Sequence, residues 1–287
     1  MTNPDALVLE GGSMRCAFTA GILDTFMALN YRPFTRMIGV SSGAMALSYY
    51  CSHQPKSFIQ VARHLVTDSG FIDFKSAFSA QGIMNLEYLQ KFVNRNYPLD
   101  ELQAEQRCGN LDIRIVATHF ENGAPIYLSP QVGKWQRFLL ASATLPFITH
   151  GKVKVEGTMM FDGGYADPIP YRHAILQGSK RILVIRTRPS TARVDQSYVD
   201  WFGSYWHRDH PELARLFKQG HDHYNALAEE LASASPDSEV QWTQIAPPEM
   251  LASDGYSVTQ DDLDRDYRLG LELGLDYLRR VAANQED

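Results

Sequence analysis

Short apolar runs alternate with segments of helical spacing through the first part of the chain. The runs at 6–9 and 37–40 have the length of buried strands, and each is followed by a break rich in glycine or serine. Segments 17–29 and 44–50 come next, and in the first of them the apolar side chains recur every three or four residues. This order of strand, helix, strand, helix predicts an α/β fold with a mostly parallel central sheet.

The later pattern extends this prediction. Apolar spacing predicts helices over most of 55–96, with a break near Ser69-Gly70, and at 135–143, 171–176, 211–232 and 261–282. It predicts strands at 111–120 (pairing with 125–128), 158–161, 181–185 and 239–245. Charged and aromatic residues increase after Thr187. We therefore expect a first domain over 1–190 and an α-rich extension over 191–287, which could pack as a cap on the same domain.

Composition narrows the classes of partner and compartment. The chain has 287 residues, 44% of them hydrophobic, and a net charge of −6, which argues against nucleic acid as a partner. Its cysteines are few (Cys16, Cys51 and Cys108) and predict no disulfide framework, so a reducing compartment is favoured. No signal peptide or membrane span is visible in the sequence. We expect a cytoplasmic protein, with peripheral membrane contact left open.

A candidate nucleophile lies between the second strand and the second helix. Gly39-Val40-Ser41-Ser42-Gly43 matches G-x-S-x-G, in which a sharp strand-to-helix turn projects the serine hydroxyl out of the sheet. Side chains at Gly39 and Gly43 would clash in such a turn. The pattern, with an apolar strand before it and a helix after it, predicts that Ser41 is a catalytic serine.

Two further turns follow predicted strands and supply what a nucleophilic serine needs. Gly11, Gly12, Ser13 and Met14 open a helix, where successive amides can stabilise an oxyanion. Asp162 precedes Gly163 and Gly164 and is the candidate base, although Asp-Gly is also an ordinary turn signal. Parallel strands bring Gly11 and Ser41 to one sheet edge. We expect Asp162 to join them only if its strand runs the same way.

These three motifs, in this order, resemble the patatin-like phospholipase family over about 5–186. The segment 141–146 also resembles a family stretch that precedes the aspartate. The resemblance implies a three-layer α/β/α fold and a lipid acyl hydrolase of phospholipase or carboxylesterase type. It implies a Ser-Asp dyad without cofactor or metal, in which Ser41 attacks the ester and Asp162 takes the proton. Lipid or acyl esters are the implied substrates.

Departures from the family pattern fall on the glycine-rich loop, residues 11–16. Ser13 and Cys16 stand where the family usually has glycine, and a serine at positive φ would be strained by roughly 1–2 kcal/mol. Cys16 is expected to serve packing, with a lowered pKa at a helix N-terminus as the alternative. Arg15 could bind a lipid phosphate or hold the loop by a salt bridge.

Other interpretations remain open at this stage. A Ser-His-Asp esterase would recruit His173, His207 or His221, and the same scaffold could bind an acyl ligand without turnover. His207, His210, His221 and His223, with Asp209 and Asp222 nearby, fit a polar helix face better than a metal site, because residues two apart diverge on a helix. The aromatic stripe Tyr198, Trp201, Phe202, Tyr205 and Trp206 predicts core packing, or alternatively a lid near an acyl pocket.

Overall fold

A computed structural model gives the fold of most of the chain. It describes residues 3–68, 86–145, 152–196, 205, 210–233, 239–255 and 257–286. The predicted break at Ser69-Gly70, Pro146 of the family-like stretch, His207 and Asp209 lie outside these ranges. So does the aromatic stripe apart from Tyr205, whose side chain is exposed.

The described strands form one sheet. They are Ala6–Leu9 (β1), Arg36–Val40 (β2), Asp112–His119 (β3), Pro125–Leu128 (β4), Val153–Val155 (β5), Thr158–Asp162 (β6), Arg181–Ile185 (β7) and Gln241–Ile245 (β8). Their order is β5-β6-β3-β2-β1-β7-β8, with β4 also paired to β3. Strands β3, β2, β1, β7 and β8 run parallel, whereas β4 and β6 run antiparallel to β3. The sheet is therefore mostly parallel at its centre and antiparallel at one side, as the apolar pattern predicted for the centre.

Helices cover both faces of this sheet. They are Cys16–Ala28 (α1), Ser42–Cys51 (α2), Ser57–Thr67 (α3), Leu86–Asn96 (α4), Glu101–Cys108 (α5), Trp135–Ala143 (α6), Tyr171–Leu176 (α7), Pro211–Ala232 (α8) and Gln260–Glu286 (α9). Side chains alternate across the strands, so Val8 and Val184 pack under α7 and α8, while Leu7 and Leu183 pack with α1 and α2. The result is the three-layer α/β/α architecture that the sequence predicted.

Most predicted elements are confirmed to within a few residues, but α5 and β5 were missed. The α5 segment has few apolar positions, and its main signal is a helix cap, since Asp100 accepts a hydrogen bond from the Gln103 amide at 2.8 Å. β5 has only three residues and is specified by its pairing with β6. Both omissions concern elements whose periodicity is too short to read.

The C-terminal part of the chain is joined to the same sheet and layers. β8 pairs with β7 in parallel, and α9 packs along α1. Glycines let these two helices approach closely, because a Cβ at Gly270 would lie 2.1 Å from the Phe18 carbonyl oxygen and one at Gly21 2.2 Å from that of Tyr267. The helix that ends the described chain thus shields the helix that follows the first strand.

The helix crossing predicts opposite effects for two glycine substitutions. Gly270→Ala should lower the free energy of unfolding by about 1–3 kcal/mol, because the new methyl group overpacks the contact with α1. Gly220→Ala, in the open middle of α8 with nothing within 4 Å, should raise it by about 0.5–1 kcal/mol through helix propensity. Urea titrations measure both. A neutral Gly270→Ala variant would contradict the close crossing.

Candidate functional site

The turn that carries Ser41 has the geometry of a nucleophile elbow. Ser41 has φ 53° and ψ −128°, a strained combination for a side-chain-bearing residue, between the end of β2 and the start of α2. A Cβ at Gly39 would lie 2.6 Å from the Ala44 Cα, and one at Gly43 2.5 Å from the Glu10 carbonyl oxygen. The two flanking glycines are therefore required by close backbone approach, as the motif predicted.

Asp162 lies directly beside this serine. Ser41 Oγ donates a hydrogen bond to Asp162 Oδ2 at 2.6 Å. This distance is within the reach that a general base needs.

The expectation that Asp162 could join Ser41 only if its strand ran parallel to the others was wrong. β6 is antiparallel to β3, and its last residue, Asp162, pairs with Ala117, while Val40 pairs with Val116. Because β3 extends beyond the end of β2, the C-terminal end of an antiparallel strand reaches the level of Ser41. Register, and not strand direction, brings the carboxylate to the serine.

The surroundings of Asp162 hold its carboxylate in place and raise its pKa. It is 4% exposed, Oδ1 accepts from the Gly164 amide at 2.7 Å, and its own carbonyl accepts from Thr118 Oγ1 at 2.7 Å. Burial raises the pKa of Asp162 to about 6, and the hydrogen bonds from Ser41 and Gly164 limit that rise. The carboxylate is ionised above that pH and is a stronger base than an exposed aspartate.

Ser142 supports the elbow, a contact that sequence reasoning did not assign. The Ser41 amide donates to Ser142 Oγ at 2.8 Å, and Ser142 Oγ donates to the Val116 carbonyl at 2.5 Å. This hydroxyl therefore ties the strained turn to β3. The only sequence signal was its place in the stretch 141–146 that resembled the family.

The glycine-rich loop forms a single 3₁₀ turn beside the serine. Ser13 has φ 53°, so it adopts the strained left-handed conformation that was considered for this position from the sequence. The Gly12 amide donates to Ser42 Oγ at 3.2 Å, and Ser13 and Met14 line the same pocket as Ser41. The loop thus lies against the residue that follows the candidate nucleophile.

Cys16 and Arg15 both have structural partners. Cys16 is fully buried and accepts a hydrogen bond from Ser42 Oγ at 3.0 Å, and burial raises the pKa of its thiol to about 11. The alternative of a lowered thiol pKa was therefore wrong, because desolvation outweighs the helix N-terminus. Arg15 Nη1 lies 2.5 Å from Asp254 Oδ1, and Arg15 is not among the described residues that line the pocket.

An apolar pocket of about 150 Å³ opens at Ser41. Its wall comes mainly from α2, α3, α4 and α6, with side chains such as Val61, Leu65, Leu89 and Leu140. Ser13, Ser41 and Ser42 are among the polar residues that line it. Such a pocket suits a hydrocarbon chain whose polar end is placed at the serine.

The remaining candidates lie elsewhere. His173 stacks on Tyr127 with ring centroids 3.5 Å apart, and none of the described pocket-lining residues is a histidine. His221 lies 3.4 Å from Asp222. Within the described ranges, no three His, Cys, Asp or Glu residues are grouped so that they could hold a metal ion. No helix in those ranges is both long and apolar enough to span a membrane.

Comparison with known families decides the relationship. The model of the patatin-like phospholipase family matches residues 7–175, which is more than half of the chain and includes Ser41 and Asp162. The chain belongs to the patatin-like phospholipase family. A second model, for a domain of unknown function (DUF6363), matches residues 210–284. Membership in this family of phospholipases supports a lipid hydrolase activity.

Two relatives extend the comparison. The chain is 30% identical over 283 residues to the uncharacterized protein YjjU of Escherichia coli (strain K12), covering 96% of this chain and 77% of YjjU. The crystal structure of VipD from Legionella pneumophila superposes with a TM-score of 0.51 at 13% identity, covering 96% of this chain and 67% of VipD. At that identity VipD supports the patatin-like fold alone.

Burial of Asp162 predicts a stability gain on its neutralisation. Asp162→Asn should raise the free energy of unfolding at pH 8 by about 1–3 kcal/mol, because the wild type must bury a carboxylate whose pKa is raised to about 6. A carboxyl pKa that is raised in the folded state favours folding at low pH, where the group is protonated. At higher pH, where the group is ionised, it lowers the free energy of unfolding. The gain should therefore shrink by about 1 kcal/mol between pH 8 and pH 5.

Urea titrations of wild type and variant at both pH values check this. Asp167→Asn is the matched control for side-chain chemistry, because burial also raises the pKa of Asp167 to about 6 but its partner is the Tyr127 hydroxyl. An Asp162→Asn variant that is less stable than wild type at pH 8 would contradict the desolvation of this carboxylate.

Proposed function

We propose that the protein is a lipid acyl hydrolase of phospholipase or carboxylesterase type that uses Ser41 and Asp162 as a catalytic dyad. The observation that carries the proposal is the 2.6 Å hydrogen bond from Ser41 Oγ to Asp162 Oδ2 beside an apolar pocket that Ser41 lines. The family relationship supports the reaction class, and the pocket supports an acyl chain as the group bound.

In the proposed acylation step, Ser41 Oγ attacks the ester carbonyl carbon while its proton passes to Asp162. The carbonyl oxygen becomes an oxyanion, and backbone amides of Gly12, Ser13 and Met14 are the proposed donors to it. The Gly12 amide would exchange its bond with Ser42 Oγ for this contact. When the tetrahedral intermediate collapses, the carbon–oxygen bond to the alcohol breaks and Asp162 returns the proton to the leaving alkoxide.

Deacylation reverses these roles with water in place of the alcohol. Asp162, ionised again, takes a proton from a water molecule that attacks the Ser41 ester. Collapse of the second intermediate breaks the bond to Ser41 Oγ, which recovers its proton from Asp162, and releases the carboxylic acid. The carboxylate thus acts alternately as base and acid.

The pocket lining supports a substrate with an extended hydrocarbon chain. Each buried methylene contributes about 0.8 kcal/mol, so binding should strengthen with chain length until the pocket is filled. Such substrates reside in membranes or micelles, so peripheral contact with a lipid surface is part of the proposal. The three cysteines are free and buried, which supports a cytoplasmic location.

A Ser-His-Asp triad is less well supported, because the partner of Ser41 Oγ is a carboxylate and His173 is stacked on Tyr127. A scaffold that binds acyl ligands without turnover is the second candidate. Ser13 at positive φ in the proposed oxyanion loop is the observation in its favour. Reactivity of Ser41 distinguishes the two.

Substitution of either dyad residue should abolish turnover. Ser41→Ala and Asp162→Asn should each lower kcat on esters of varied chain length by at least about a hundredfold, since each removes the nucleophile or its base. A fluorophosphonate probe should label wild type and not Ser41→Ala. Asp167→Asn, which changes a similar buried carboxylate outside the pocket, should retain labelling and turnover. No labelling of folded wild type would sink the hydrolase proposal, and an active Asp162→Asn would disprove the dyad.

The pH dependence should report the pKa of Asp162. Only the ionised carboxylate can accept the serine proton, so kcat/KM should fall as the pH drops below about 6, the pKa to which burial raises this group. The same limb should persist in Asp167→Asn. Initial rates on a soluble short-chain ester between pH 4 and 9 measure it, with a limb near 4 as the contradicting result.

A further inference from the structure

The glycine-rich loop has a flexible sequence, yet its proposed role in oxyanion stabilisation requires a fixed geometry. Its amides must be held in place to stabilise charge in the transition state, and a displacement of about 1 Å can cost about a hundredfold in rate. Glycine neighbours and a left-handed Ser13 supply little rigidity of their own. Something outside the loop has to hold it.

One support lies beneath the loop, at Glu10, the residue before Gly11. Glu10 Oε1 accepts from Tyr224 Oη at 2.7 Å, and Glu10 Oε2 accepts from Arg186 Nε at 3.0 Å and from the Thr187 amide at 2.8 Å. The Arg186 side chain is 0% exposed. This buried carboxylate is therefore held from α8 as well as from the end of β7.

The same cluster reaches the loop backbone and the last strand. Thr187 Oγ1 donates to the Gly11 carbonyl at 2.7 Å. Arg186 also donates to Tyr224 Oη at 2.9 Å and to Gln244 Oε1 on β8 at 3.1 Å. Tyr224 thus links α8 to the Glu10 carboxylate and to the Arg186 guanidinium. Thr187, the residue after Arg186, holds the loop.

A second support holds the other end of the loop. Arg15 Nη1 pairs with Asp254 Oδ1 at 2.5 Å, and Arg188 Nη1 lies 3.6 Å from Asp254 Oδ2. The segment that presents Asp254 is itself anchored to α9, because Asp266 accepts from the amides of Ala252 at 3.0 Å and Ser253 at 2.8 Å. Asp254 is therefore a fixed partner for Arg15.

These polar contacts are hard to explain by stability alone. Burying an ion pair such as Glu10 and Arg186 carries a desolvation cost that largely cancels its attraction, and apolar replacements are often as stable. What such a cluster does provide is one defined geometry. Thr187 contacts one end of the loop and Asp254 the other, and two residues of these supports, Tyr224 and Asp254, belong to residues 210–284, the region that the model of the domain of unknown function matches.

We propose that the C-terminal region, through Tyr224 and Asp254, positions the glycine-rich loop for oxyanion stabilisation. This inference rests on the proposed hydrolase function of Ser41 and Asp162. Tyr224 and Asp254 are positioning residues, since they act through Glu10 and Arg15 and do not line the pocket among the described residues.

Two pairs of variants separate positioning from general packing. Tyr224→Phe is matched by Tyr267→Phe, because both tyrosines are 8% exposed and both donate to a carboxylate of the N-terminal part, Tyr267 to Asp24 at 2.6 Å. Asp254→Asn is matched by Asp264→Asn, whose partner is Arg63 on α3 at 2.7 Å. Each control breaks a contact of the same kind away from the loop.

Turnover should divide the variants by their distance from the loop. Tyr224→Phe and Asp254→Asn should each lower kcat on a soluble ester by about tenfold with KM changed less than about twofold, because ground-state binding does not use the oxyanion contacts. The two controls should change kcat by less than about twofold. Urea midpoints of each matched pair should agree, so that lost stability does not account for lost rate.

Inhibitors report the loop directly. A trifluoromethyl ketone forms a tetrahedral adduct with a serine and places an oxyanion in the hole. Its inhibition constant should therefore rise about tenfold in Tyr224→Phe and Asp254→Asn. A non-reactive ether analogue of the substrate should bind them as it binds wild type. This contrast is not expected from a structural defect, which would affect both ligands.

Each outcome has a distinct meaning. The positioning role is overturned if wild type is active and Tyr224→Phe and Asp254→Asn match their controls in kcat and in ketone inhibition. That result leaves the hydrolase proposal intact. Equal weakening of ketone and ether also overturns it. If Tyr224→Phe does not fold, Asp254→Asn alone decides. Wild type that is neither labelled by a fluorophosphonate nor active on esters overturns the proposed function, and this inference with it.

Discussion

The hydrogen bond between Ser41 and Asp162 places a constraint on the whole sheet. It joins the end of β2 to the end of β6, two strands that are not neighbours and that run in opposite directions. Their ends meet only because β3 lies between them, pairs with both and extends past β2. The glycines beside each residue then allow backbone to pack where side chains would collide. A pairing shift of one residue in β6 would turn the carboxylate to the other face.

The site is maintained at a cost in stability. Ser41 and Ser13 adopt strained backbone conformations. Asp162 is removed from water with hydrogen bonds but, in the part of the chain that the structure describes, with no cationic partner that lowers its pKa. Helices on both faces of the sheet offset this cost through apolar packing. The same desolvation that disfavours the ionised carboxylate raises its basicity, so the cost and the proposed chemistry have one origin.

Local patterns in the sequence predicted most elements, the elbow and the loop, because strands, helices and tight turns depend on nearby residues. The direction and the register of β6 were not predictable, since both are decided by pairing between strands that are distant in the sequence. The partner of Arg15 was left open for the same reason, as Asp254 lies 239 residues further along the chain. Burial decided the state of Cys16, and no short motif encodes burial. Sequence therefore indicated which groups matter, and long-range packing determined how they are held.

The contact of α9 with α1 also has a consequence for biosynthesis. During translation β1, the loop and the elbow are made long before α9, so apolar side chains of α1 such as Ile22 and Phe26 are not covered until α9 has been synthesised. Gly21 and Gly270, which close that contact, are made at opposite ends of this interval. A nascent chain therefore exposes this apolar surface until α9 is made, and Ser41, the proposed nucleophile, lies on an incomplete scaffold during that time. The proposed hydrolase activity would then arise only after α9 has docked on α1.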